Sequence, residues 1–181
     1  MQAPVEFAYR TGWRANEVLG LPWSEIRFDL KVIKLPGRGA KNGKDRPVGL
    51  SGKVLELLER QREVVAQEVE WVFPDEDGRS RITYDRAVDR FQGACSQVQL
   101  PEGQFTDADG KPRQPAFHDL RHTFAREALR SGMSESDVML IAGWKTPVML
   151  RRYLGRNEEG QRQALAAADR CLVLGQFPSS P

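Results

Sequence analysis

Apolar positions three and four residues apart mark most of this chain as helical. Phe117, Leu120, Phe124 and Ala128 form one such stripe, and Gly132 supplies its stop. Ser134 followed by Asp137 resembles a capping box for a short helix. Thr146-Pro147 then starts a last one that carries Tyr153 two turns on. Near the N-terminus, APVEFAY is an apolar helical stretch that Arg10-Thr11-Gly12 ends or kinks. WRANEVLGL restarts a helix with Val18 and Leu19 facing inward. Ser51 predicts a cap for an amphipathic helix of roughly twenty residues, running to Trp71 through Val54, Leu57, Leu58 and Val65. WVFP is a short buried strand or turn, DEDG a loop, and residues 82–98 a second amphipathic helix. After Tyr153, EEGQRQALAAADRCLVL predicts a further helix and GQFPSSP a loose tail.

One segment breaks the helical period. IRF and KVIKL read as short strands joined near Asp29-Leu30, and RPVGL as a third. Between the last two, PGRGAKNGKD is a glycine-rich turn in which Asn42-Gly43 is a hairpin signal, so Lys41 and Lys44 sit at an exposed tip. It is not a phosphate-binding loop, because the GKS or GKT ending before a helix is absent. Residues 100–116 form a polar connection in which Asp107-x-Asp109-Gly110 lacks the closing acid of a calcium loop. The pattern predicts an α+β fold, mainly α-helical, with a small three-stranded antiparallel sheet near the N-terminus.

Composition narrows the class. The 181 residues suffice for one domain with a sizeable core or a small pair, and 40% hydrophobic with 29% charged residues is a globular balance. Cys95 and Cys171 lie far apart without a CxxC pair, which argues against a disulfide framework or a cysteine metal site. The N-terminus lacks a signal-peptide pattern, and no apolar run approaches the ~20 residues of a membrane helix. A cytoplasmic protein with no membrane partner is expected. The net charge of +2 is unevenly spread: residues 111–156 hold nine Lys/Arg against four Asp/Glu, and residues 53–80 hold four against eight. That asymmetry suits a polyanion bound on one face, although solvated helix faces explain the charge alone equally well.

Several residues carry chemistry. His118 and Arg121, at i and i+3, share a helix face and make a cradle for an oxyanion. Arg14 and Glu17 have the same spacing, which fits either a structural salt bridge or a placed arginine. His118 and His122 are spaced like a metal-binding pair, but the glutamate of HExxH is missing, so neither a metal nor a cofactor is expected. Taken alone, Tyr153 in the stripe Met149, Leu150, Leu154 reads as a core tyrosine, and Trp144 as a packed aromatic.

The order of these segments adds a further reading. TGWRANEVLGLPWSEI, AKNGKDRPVGLS, HDLRHTFA and IAGWKTPVMLRRY resemble, in sequence, the first arginine box, the hairpin-lysine segment, the His-x-x-Arg box and the tyrosine box of the tyrosine recombinases, the phage integrase family. The resemblance runs from about residue 5 to about residue 155 and implies an integrase-like catalytic domain. It implies Arg14 and Arg121 as holders of the scissile phosphate and Tyr153 as the nucleophile. His118 would assist proton transfer, Trp144 stands where most members have histidine, and Lys41 would be the general acid, with Lys44 an open alternative. Lys44, Arg46 and Lys145 would touch DNA. The implied activity is cleavage and rejoining of double-stranded DNA through a 3′-phosphotyrosyl link in recombination and DNA integration, as a homo-tetramer on DNA in the full-length family. A type IB topoisomerase-like relaxing activity and a DNA-binding remnant without recombination activity would use the same fold. Members usually carry a core-binding domain ahead of the catalytic one. Ten residues precede Thr11 here, so the expected organisation is a catalytic domain over 1–170 without that partner domain, a tail over 171–181, and a monomer in isolation.

Overall fold

The computed structural model describes residues 1–35, 46–98, 105–106 and 109–154, the side chains of Leu35, Arg46 and residues 152–154 excepted. Helix α1 (Gln2–Thr11) buries Pro4, Phe7, Ala8 and Thr11. It stops at Gly12, where φ is 63° and the backbone N–H donates to the Ala8 carbonyl at 2.8 Å. Two constraints select glycine there. The left-handed φ disfavours any Cβ, and a Cβ would stand 2.3 Å from Cδ1 of Phe124. Gly12→Ala should therefore lose about 1–3 kcal/mol of stability. A denaturant titration checks this, with a lower midpoint and an unchanged slope expected.

Helix α2 (Ala15–Leu19) follows at once, with Val18 and Leu19 buried as its periodicity predicts. A 3-10 turn at Trp23–Glu25 leads into strands β1 (Ile26–Arg27), β2 (Val32–Leu35) and β3 (Arg46–Gly49), an antiparallel meander in that order. The register sets Ile26 opposite Ile33 and Ile33 opposite Val48. That row is the buried face of the sheet, and it packs into the main core with Phe7, Trp13, Leu21, Leu57 and Leu58.

Helix α3 (Gly52–Val64) starts as expected, with the Ser51 hydroxyl accepting from the Val54 N–H. It has 13 residues and stops well short of Trp71. The apolar stripe ends at Leu58, so further turns would bury nothing. The chain instead swings back to an earlier segment. Trp23 N–H donates to Glu70 and Val72 N–H to Leu21, both at 2.9 Å, and Trp71 bridges Pro22. Helix α4 (Tyr84–Ser96) is shorter than the predicted 82–98 because Thr83 caps it; Ile82 packs against Leu19 and Ala87 outside the helix. Buried Asp75 is held by Arg86 and Arg90 of α4.

Helices α5 (Asp119–Arg130), α6 (Glu135–Ala142) and α7 (Pro147–Leu154) enclose a second core of Phe124, Ala125, Ala128, Val138, Ala142, Trp144 and Leu150. Their caps follow the sequence. Ser134 accepts from Asp137 N–H at 3.1 Å, and Thr146 accepts from Met149 N–H at 3.4 Å. Ser134 also donates its hydroxyl to the Asp137 carboxylate, in place of the backbone N–H contact of a full capping box. Helix α5 packs on α1 on one side and on α7 on the other, so it is the seam between the two cores. Among the described residues no helix is long and apolar enough to cross a membrane. The hairpin tip with Lys41 and Lys44, the predicted helix after Tyr153 and the tail lie outside the described residues.

Candidate active site

The polar residues that the sequence singles out meet at this seam. Arg121, in the first turns of α5, is only 2% exposed. Its Nη1 donates to the carbonyl of Gly12, at the end of α1, and to that of Ala142, at the end of α6, the latter at 2.6 Å. Trp144 lies under the guanidinium, 4.1 Å from Cζ to the ring centroid. A helix C-terminus offers carbonyls that want cations, and an indole face attracts the same charge. The plane of Arg121 is therefore fixed by three separate elements.

His118 occupies the position just before α5, without a side-chain capping bond, one turn before Arg121. The residue keeps a solvent-facing surface, yet protein crowds the ring. Desolvation pushes its pKa below the ordinary histidine value; His122, Arg121 and Arg14 push the same way, and Asp119 opposes them. A neutral imidazole results at neutral pH, able to accept or donate a proton. The influence of Arg14 also locates it: the turn after α1 brings that arginine within electrostatic reach of His118. Arg14 makes the local pair that its spacing allowed, Nη1 lying 3.3 Å from Oε1 of Glu17, while its N–H donates to Oε2 at 2.9 Å. The pair is exposed, with 47% of the Arg14 side chain open to solvent. It contributes little energy there and yields readily to a competing anion.

Tyr153 lies in the last turn of α7, beyond the last residue whose side chain is described. The helix itself is firmly placed by fully buried Leu150 and by its packing on α5 and α6. Trp144 is buried as well, which agrees with a packed aromatic. Lys145, next to it, is exposed. Arg46 opens β3 opposite Leu35, and β3 runs beside α6. Lys41 and Lys44 fall between β2 and β3, among the residues not described. Among the described residues no group of three or more His, Cys, Asp or Glu side chains could hold a metal ion.

Three features here were not read from the sequence. Trp13 donates its Nε1–H to the Ile141 carbonyl at 2.9 Å, which locks the Arg14 turn to α6. The Gly12 carbonyl serves as an acceptor for Arg121. Arg113 forms a two-pronged ion pair with Asp119, beside His118. Only the last had a signal, an acid in the first turn of α5 with an arginine shortly before it.

Two arginines and a neutral histidine beside a tyrosine-bearing helix suit an anion whose charge grows during reaction. Similarity to known proteins points to a family. The profile of the phage integrase family matches residues 1–159. The integrase of Salmonella phage P22 is 24% identical over 164 residues, covering 84% of this chain and 38% of the relative. The tyrosine recombinase XerC of Xanthomonas axonopodis pv. citri (strain 306) is 31% identical over 142 residues, or 78% of this chain and 42% of the relative. Among solved structures, the Tn1549 transposon integrase in complex with circular intermediate DNA superposes with a TM-score of 0.67 at 17% identity, over 90% of this chain and 56% of that one. The chain thus spans about 38% to 44% of the length of the curated relatives it matches. It has the integrase catalytic-domain fold, and it belongs to the phage integrase family.

Proposed function

We propose that this chain cuts and rejoins double-stranded DNA through a 3′-phosphotyrosyl intermediate, as the catalytic part of a site-specific recombinase. The observation that carries the reading is the convergence of Arg14 with His118 and Arg121, from segments far apart in the sequence, beside the helix that bears Tyr153. Family membership and the DNA-bound Tn1549 integrase support it.

In this reading the Tyr153 oxygen attacks phosphorus, and the bond to the 5′ oxygen breaks. The 5′ oxygen takes a proton from the hairpin lysine, Lys41 or Lys44. Arg121 and Arg14 receive the charge that builds on the non-bridging oxygens. Because carbonyls and Trp144 already orient Arg121, it needs no reorganisation when that charge appears. The phosphate displaces Glu17 from Arg14, a weak exposed pair. Neutral His118 bonds the phosphate and accepts or returns the tyrosyl proton. A second strand's 5′-hydroxyl then attacks the phosphotyrosine, releasing Tyr153. Lys44, Arg46 and Lys145 contact the DNA backbone. In this reading the assembly on DNA is the homo-tetramer of the full-length family, the chain in isolation is a monomer, and a cytoplasmic location fits such a substrate.

Incubation with a nicked suicide duplex tests the reading. A denaturation-resistant protein–DNA adduct is expected, and its absence under conditions where the chain is folded would overturn it. Strand exchange between two sites, rather than relaxation of supercoils, distinguishes recombination from topoisomerase-like activity.

A second expectation concerns affinity. Each phosphate neutralised adds affinity and steepens its dependence on salt. The clustered cations of residues 111–156 are the expected contact, and from these the 181 residues should bind duplex weakly and with little sequence preference. Titrating labelled duplex at several salt concentrations should give a smaller slope than for a complete two-domain relative. Nanomolar, site-specific binding would refute this.

A further inference from the structure

We infer that Arg113 and Asp119 are positioning residues for His118, a clasp that fastens the polar connection before α5 onto the first turn of that helix. The inference rests on the reading of His118 as a site residue. Arg113 Nη1 donates to Asp119 Oδ2 at 2.8 Å and Nη2 to Oδ1 at 2.6 Å, two parallel bonds in the fork geometry that gives an arginine–carboxylate pair its direction. Asp119 Oδ2 also accepts the Ala116 N–H at 2.7 Å. The remaining donors of Arg113 reach the carbonyls of Thr106 at 3.0 Å and Gln114 at 2.9 Å, and its guanidinium lies over the Phe105 ring. One side chain therefore ties residues 105–106, 114 and 119 together immediately beside His118.

Asp119 also acts on His118 electrostatically, favouring its protonated form. Asp119 is 9% exposed and directly follows His118 at the helix N-terminus, where a negative charge is favoured. Burial raises its pKa, but Arg113 and the Ala116 N–H outweigh burial and hold it below the ordinary carboxylate value, so it stays charged. The groups acting on His118 include His122, its ring centroid 5.4 Å away, with Arg121, Arg14 and Asp119. Asp119 is the negative one among these, and its charge is paired with Arg113. The clasp thus sets both the place of His118 and the charge that it feels.

Two substitutions should move His118 in opposite directions. Asp119→Asn keeps the shape and an acceptor for Ala116 but removes the charge, so His118 binds its proton less tightly. Arg113→Gln leaves Asp119 held by Ala116 but uncovers its charge, so His118 binds the proton more tightly. The chain contains two histidines, and a ring-proton NMR titration reads both, with His122→Gln assigning them. Opposite shifts of about 0.3 pH unit or more are expected, and Arg113→Lys, which restores charge without the fork, should titrate close to the parent. Shifts in the same direction, or none, would overturn the inference. Should Asp119→Asn fail to fold, Arg113→Gln decides alone: an upward shift supports the clasp, and no shift or a downward one sinks it. Since no DNA is present, this outcome is independent of whether the chain cleaves DNA.

Discussion

Tyr153→Phe is expected to leave the fold as it is and to abolish the covalent DNA adduct. The substitution removes one oxygen from the last turn of α7. The helix keeps its Thr146 cap and the buried Leu150 that anchors it against the second core, so the melting temperature should stay near that of the parent. The chemistry has no substitute. A phenol with pKa near ~10 becomes a nucleophile only where cations and a proton acceptor surround it, and the two other tyrosines, Tyr9 on α1 and Tyr84 on α4, are not on the helix that the tyrosine box forms. Adduct yield on a suicide duplex should fall by at least about 10⁴-fold. An adduct that survives the substitution would show that another residue attacks the phosphate.

Arg121→Lys should have the next largest effect, and it should be felt twice. Lysine keeps the charge but not the plane. It can neither stack on Trp144 nor reach the Gly12 and Ala142 carbonyls in the same geometry. Because the site is buried, any carbonyl left without a donor pays full desolvation, about 2–3 kcal/mol of stability in all. Cleavage should fall a further ~10²–10³-fold, measured where the variant remains folded, since an oriented transition-state donor is lost. A rate loss of tenfold or less alongside the stability loss would mark Arg121 as a brace between α1, α5 and α6 rather than a phosphate ligand.

The double duty of Arg121 shows where the sequence stops being informative. Its place in HDLRHTFA pointed to a phosphate cradle through spacing and charge. Nothing in that spacing says that the side chain is buried, because its partners are main-chain carbonyls, which every residue carries alike. The same reason hid the Trp13 bond to the Ile141 carbonyl. The end of α3 was also misplaced for want of a distant partner: the segment before Trp71 leaves the helix to pair with Leu21, Pro22 and Trp23, far away in the chain.

What the sequence determined by itself was local. Helix starts at Ser51, Ser134 and Thr146 follow from a hydroxyl that reaches a backbone N–H three residues on. The three short strands follow from the break in helical period, and the order of the four boxes carried the family. Tertiary structure decided the rest. It buried Arg121 between two helix ends and brought the Trp13 indole to the Ile141 carbonyl. Those outcomes depend on which side chains and backbone carbonyls meet in space, and a one-dimensional pattern of polar and apolar positions does not encode such meetings.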